Sequence, residues 1–157
     1  MWVINPQCCS DAVITVTANI DGKSQEVGST TFRVRPVPPP LAFLIVNKDG
    51  NKVRFRGGPL TKDALVEIFK TGELMAAIDD GILDIPFLVL GFETTRFDDD
   101  GFAIRETSTG AKFTDKQLSM IKEMDKGKTL LIRAISVKGP DGVTQMLKHP
   151  MEVIIME

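Results

Sequence analysis

Between residues 36 and 40 the chain reads Pro36-Val37-Pro38-Pro39-Pro40, four prolines in five positions. Proline holds φ at about −65° and donates no backbone hydrogen bond, so neither a helix nor a central strand runs through such a segment. The run favours polyproline II geometry and divides the sequence into residues 1–35, a linker of residues 36–40, and residues 41–157. A stiff connector holds the angle between its neighbours, which suits a rod better than a hinge.

The part before the linker reads as a β-hairpin. From Ala12 to Ile20 the side chains alternate, with Ile14, Val16, Ala18 and Ile20 on one face and Val13, Thr15, Thr17 and Asn19 on the other. Asp21-Gly22 follows, a dipeptide suited to a type I′ turn because both positions need positive φ. The return strand ends in Thr30-Thr31-Phe32-Arg33-Val34-Arg35, with Phe32 and Val34 on the face opposite the two arginines. This pattern predicts a half-buried antiparallel pair. A lone hairpin is marginal in water, so its apolar face needs a cover. The expectation is that the chain begins inside a domain, completed by upstream residues or by another chain.

After the linker, strands are expected from Leu41 to Asn47 and from Lys52 to Arg56, with Gly57-Gly58-Pro59 breaking the second. Thr61 is placed to cap a helix whose Ala64, Leu65, Ile68 and Phe69 recur at helical spacing, and Thr71-Gly72 ends it. Further strands are expected from Glu73 to Asp79, from Ile82 to Phe97 and from Phe102 to Thr107. In the long one, Leu88, Leu90 and Phe92 are expected opposite Phe87 and Val89. Thr114 and Gln117 form a T-x-x-Q capping box, followed by Leu118, Ile121 and Met124 as a buried stripe. Thr129 to Val137, Val143 to Leu147 and Met151 to Met156 complete the set. Many short strands with two single-stripe helices predict an all-β, Ig-like β-sandwich for residues 41–157, preceded by a partial β-domain in residues 1–35 and the proline-rich linker.

Composition narrows the function. The 157 residues include 19 Lys+Arg and 21 Asp+Glu, for a net charge of −2, which disfavours a nucleic-acid partner held by phosphate contacts. One His, two Cys and no Tyr leave few side chains for catalysis. The longest apolar runs, such as Leu41 to Val46, fall well short of the roughly 20 residues a spanning helix needs. The N-terminal Met-Trp-Val-Ile-Asn-Pro has no basic region followed by an apolar one. Cys8 and Cys9 are adjacent, a spacing that suits neither a relaxed disulfide nor zinc.

Each motif that invites chemistry has a plainer reading. If Gly101 of Asp98-Asp99-Asp100-Gly101 is set at the sixth position of an EF-hand loop, Arg96 and Thr107 fall where an oxygen ligand and a bidentate acid are required. The segment is therefore read as a hairpin tip, and no metal is expected. His149, followed by Pro150, has no G-x-S-x-G or related nucleophile signature to serve. Gly57-Gly58 lacks the Lys-Ser/Thr of a P-loop. No catalytic residue, cofactor or small-molecule substrate is expected. Charge is more informative. Between Glu73 and Asp100 there are eight acids (Glu73, Asp79, Asp80, Asp84, Glu93, Asp98, Asp99, Asp100) and one base, Arg96. From Arg105 to Lys148 nine bases stand against five acids. Such asymmetry steers a charged protein partner, and it selects Asp79, Asp80, Asp98, Asp99 and Asp100 as candidate contacts.

Several stretches resemble one family. Val27-Gly28-Ser29-Thr30-Thr31-Phe32-Arg33-Val34-Arg35-Pro36-Val37-Pro38 resembles the end of the penultimate domain of the GldM/PorM proteins of gliding motility and type IX secretion. The likeness continues through Gly57-Gly58-Pro59-Leu60-Thr61-Lys62-Asp63-Ala64-Leu65. It is clearest in Gly110-Ala111-Lys112-Phe113-Thr114-Asp115-Lys116-Gln117 and in Arg133-Ala134-Ile135-Ser136-Val137-Lys138-Gly139-Pro140-Asp141-Gly142. In the linker, Pro39 stands where the family pattern has an acid. The resemblance implies the C-terminal region of a longer periplasmic protein, anchored in the inner membrane by an N-terminal helix and forming a homodimeric shaft. That shaft would couple an inner-membrane motor protein to ring components at the outer membrane, with residues 41–157 facing the ring. It carries no catalytic residues over to this chain. The competing reading is an Ig-like adhesin or carbohydrate-binding module, which calls for aromatic platforms, whereas Trp2 is the only Trp and Tyr is absent. A third class, a hydrolase, needs a polar cleft around His149.

Overall fold

Asp21 and Gly22 adopt φ of 53° and 77°, so the dipeptide makes the tight turn its chemistry favours. It joins β1 (Asp11–Ile20) to β2 (Lys23–Arg33), which pair antiparallel from Ile20↔Lys23 back to Asp11↔Arg33. Val16 faces Gly28 and Thr17 faces Glu26, leaving Val27 as the extra residue of a bulge. Alternation along β1 survives, but burial does not follow it: Val16 is 56% and Phe32 52% exposed. Two strands alone cannot shield either face.

The computed structural model describes residues 10–36 and 38–156. Trp2, Cys8, Cys9 and Val37 lie outside the described residues, together with the readings placed on them. The chain divides into two compact units, residues 1–38 and 39–157.

The second unit is an all-β fold of curled, sandwich-type sheet with two short helices. Its strands are β3 (Leu41–Lys48), β4 (Asn51–Phe55), β5 (Gly58–Thr61), β6 (Met75–Asp79), β7 (Asp84–Phe97), β8 (Ala103–Thr109), β9 (Thr129–Lys138), β10 (Thr144–Met146) and β11 (Met151–Met156). They run in the order β4-β3-β6-β7-β9-β11-β5, with β8 also on β7 and β10 also on β9. β7 is the spine. Its first residues pair with β6, and from Leu88 onward it pairs with β9 and then also with β8.

The helices form where their caps dictate. Thr61 accepts from the Ala64 N–H to start α1 (Lys62–Thr71), which buries Leu65, Ile68 and Phe69. Gly72 ends it, donating to the Ile68 carbonyl at 2.7 Å. A Cβ there would lie 2.8 Å from that carbonyl oxygen, so the close approach requires glycine. The capping box of Thr114 and Gln117 opens α2 (Asp115–Lys122) with both reciprocal bonds made. Of the expected stripe Ile121 and Met124 are buried, together with Gln117 and Met120, whereas Leu118 only leans on the core. The Lys62 ammonium donates to the Met124 carbonyl at 2.8 Å and ties the start of α1 to the end of α2.

Both helices close over a core that includes Leu65, Ile121, Leu130, Ile132, Val137 and Val153. Two compensating bulges shape its strands. Val89↔Val137 and Gly91↔Ser136 leave Leu90 as an extra residue on β7. Gly91↔Ser136 and Glu93↔Arg133 then leave an extra residue on β9, where Ala134 takes φ of 50°. The first bulge shifts the parity of β7, so Phe92 joins Val89 in the core and does not share the face of Leu88 and Leu90. Gly58-Pro59 does not end in a simple break either. It begins β5, which pairs parallel with β11 from Gly58↔Val153 to Thr61↔Met156.

Candidate functional site

On β7, Leu88 and the bulged Leu90 face away from the core, 60% and 38% exposed. Leu88 lies opposite Lys138 of β9, which lies opposite Thr144 of β10, and two residues further along β10 stands Met146, 63% exposed. The other side of β7 continues the face. Ala76 pairs with the inward-leaning Phe87, so its neighbour Met75 turns outward beside Leu88. Met75 pairs with Phe43 of β3, and Leu41 follows on the same face. Leu41, Met75, Leu88, Leu90 and Met146 thus give the outward face of β3, β6, β7 and β10 an apolar character, interrupted on β9 by the exposed Lys138. A solvated antiparallel sheet would place polar side chains there.

One end of this face is closed by charge. The Arg54 guanidinium of β4 lies 4.5 Å above the centroid of the Phe43 ring and bonds Asp79 at 2.9 Å and Asp84 at 3.1 Å. Arg56 also bonds Asp79. Hydrogen bonding to Asp84, and then to Asp79, raises the Arg54 pKa above its ordinary value.

The acidic residues selected by charge are held in two separate places. Asp79 and Asp80 precede β7, and Asp98, Asp99 and Asp100 follow it. A strand of 14 residues rising about 3.3 Å each puts on the order of 40 Å between them along its length. Four of the five have local tasks. Asp79 is shared by two arginines. Asp80 accepts from the Leu83 and Ile82 N–H groups at 2.7 and 3.0 Å, and these bonds, the Leu83 one first, hold its carboxyl below the ordinary range. Asp98 accepts from the Phe102 N–H at 2.8 Å and fixes the β7–β8 turn. Asp99 accepts from Lys128 at 2.7 Å, and that bond lowers its pKa while raising that of Lys128. Asp100 makes no ion pair or hydrogen bond among the described residues.

The Asp99–Lys128 pair gives a pH prediction. With its folded pKa below the unfolded one, the Asp99 carboxylate adds stability above the ordinary carboxylate range and loses it as pH falls through the folded value. In Lys128→Met, the Asp99 carboxyl carbon followed by NMR should titrate at higher pH than in the parent. An unmoved midpoint would show that the ion pair is not what lowers it.

His149 is exposed in the bend between β10 and β11. It does not line the groove of about 400 Å³ between β8 and α2, where Ile104 and Met120 are bordered by Glu106, Asp115, Lys116 and Glu123. Among the described residues no three His, Cys, Asp or Glu side chains are placed to hold a metal ion. Charge counting along the sequence does not register the outward apolar face; the alternation that set Leu88 and Leu90 opposite Val89 held, and Phe92 left their face at the bulge.

No curated protein matches this sequence. The model of the GldM C-terminal domain family matches residues 38–156, which cover the whole second unit but its last residue. With most of the chain matched, the protein belongs to the GldM C-terminal domain family, and so to the machinery of gliding motility and type IX secretion.

Proposed function

We propose that this chain is a non-catalytic, periplasmic interaction module of that machinery. It would be the part of a homodimeric shaft that meets protein ring components at the outer membrane, with the inner-membrane motor contacted by other parts of the protein. Family membership carries the assignment. The outward face of β3, β6, β7 and β10 has the character such docking would need, apolar side chains bordered at one end by Arg54, Arg56, Asp79 and Asp84, with Lys138 of β9 standing between Leu88 and β10. An apolar core with a charged rim is the usual anatomy of a protein–protein interface, and it fits a protein component of the ring.

The test is binding of the purified chain to purified ring components by calorimetry. Leu88→Asp combined with Met146→Asp places carboxylates in the middle of the face and at its β10 edge and should weaken binding at least tenfold. The exposure of both residues leaves the melting temperature nearly unchanged. Unaltered affinity would remove this face from the interface. Light scattering over a dilution series tests the homodimer: a mass holding at twice 17.2 kDa supports it, and a monomer rules out pairing through this chain alone.

A further inference from the structure

The two acidic turns are not equivalent. At the start of β7, Asp79 and Asp84 are met by Arg54 and Arg56, and Asp80 is used by its own turn. At the other end, Asp98, Asp99, Glu123 and Asp125 line a cleft with Arg96 and Lys128, both already engaged by Glu123 and Asp99. Asp100 adds a further exposed carboxylate at the tip. Beside these acids stand two phenylalanines open to solvent, Phe97 at 49% and Phe102 at 71%. Asp and Gly satisfy the turn geometry, and nothing in it calls for a phenyl ring on either side. The turn is also held in place: the Asp98 N–H donates to the Phe102 carbonyl, the Asp98 carbonyl accepts from the Gly101 N–H, and Asp99 is tied to Lys128.

We propose that the β7–β8 tip is a second docking point, for a protein surface carrying lysine or arginine side chains around an apolar pocket that accepts a phenyl ring. The proposal rests on the interaction-module reading given above, but on different residues from the outward face. Rigid aromatic side chains entering a desolvated pocket, with charges on the rim, are the usual composition of an interface hot spot. A tip already ordered loses little conformational freedom on binding. The carboxylates select a basic partner and speed its approach. They also disfavour an anionic membrane surface as the target of the two rings.

The experiment uses the purified chain carrying 19F-labelled phenylalanine and the purified ring components, with vesicles of phosphatidylethanolamine and phosphatidylglycerol as a second probe. Ring binding should shift the 19F signals of Phe97 and Phe102. Phe97→Ser with Phe102→Ser should lose at least tenfold in affinity, and Asp99→Asn with Asp100→Asn should flatten the dependence of affinity on salt. If the serine variant binds within twofold of the parent while Leu88→Asp with Met146→Asp has lost binding, the tip is excluded and the outward face stands. If the parent binds no ring component, both readings fall. Vesicle binding that needs the rings and ignores the aspartates would overturn the protein partner in favour of a lipid surface.

Discussion

Phe69→Ala should lower the unfolding free energy by about 3–5 kcal/mol, the largest single effect expected in this chain. Phe69 is 3% exposed on the inner face of α1, and its ring stacks on Phe113 with centroids 3.6 Å apart. Phe113 in turn meets Phe92 of β7 edge-on at 5.1 Å, so three rings join α1, the approach to α2 and the spine of the sheet. The Phe113 segment is fixed by the Leu74 N–H donating to Ala111 and by the bridge between Glu73 and Lys112. It therefore cannot collapse into the void that truncation leaves. A small domain is stable by only about 5–15 kcal/mol, so the loss should be measured by urea titration at low temperature. Phe69→Leu, which refills most of the volume, should recover more than half of it. A loss below about 1 kcal/mol for the alanine variant would mean that the ring cluster is not a packing centre.

Gln117→Leu should cost about 2–3 kcal/mol although it removes a polar side chain from the core. Gln117 is fully buried, with Oε1 accepting from the Thr114 N–H at 3.0 Å and Nε2 donating to the Glu106 carbonyl at 3.2 Å. One amide therefore closes the N-terminus of α2 and bonds β8 to it. Leucine fills the space but leaves the Thr114 N–H without its acceptor and takes one donor from the Glu106 carbonyl, which stays paired with Thr94 through the β7–β8 ladder and through Thr94 Oγ1 at 3.2 Å. Gln117→Glu separates the two roles. Its ionised carboxylate can still accept from Thr114 but opposes the Glu106 carbonyl, whereas its protonated form can donate there. Burial raises the folded pKa of this new acid, so the folded state binds the proton more tightly and the variant should lose stability as pH rises. A variant equally stable at pH 4 and pH 8, measured against the parent at each pH, would show that the bond to β8 contributes nothing.

The parts legible in the sequence were those whose cause lies within a few residues. Asp21-Gly22 makes its hairpin turn because positive φ at both positions is a local demand. Thr61, and Thr114 with Gln117, open helices because the capped N–H groups lie within three residues of the cap. The features that chose the surfaces depend on residues distant in the chain. β5 exists because β11, more than ninety residues later, offers it a parallel edge. Phe92 turns inward because β7 gains a residue against β9 at Leu90, and pairing register is a property of two strands at once. The length of β7 separates two acidic turns that charge counting had grouped together. Local chemistry thus determined the elements and their ends. Only tertiary structure decided which face each side chain occupies, because alternation along one strand says nothing about a bulge that its partner imposes.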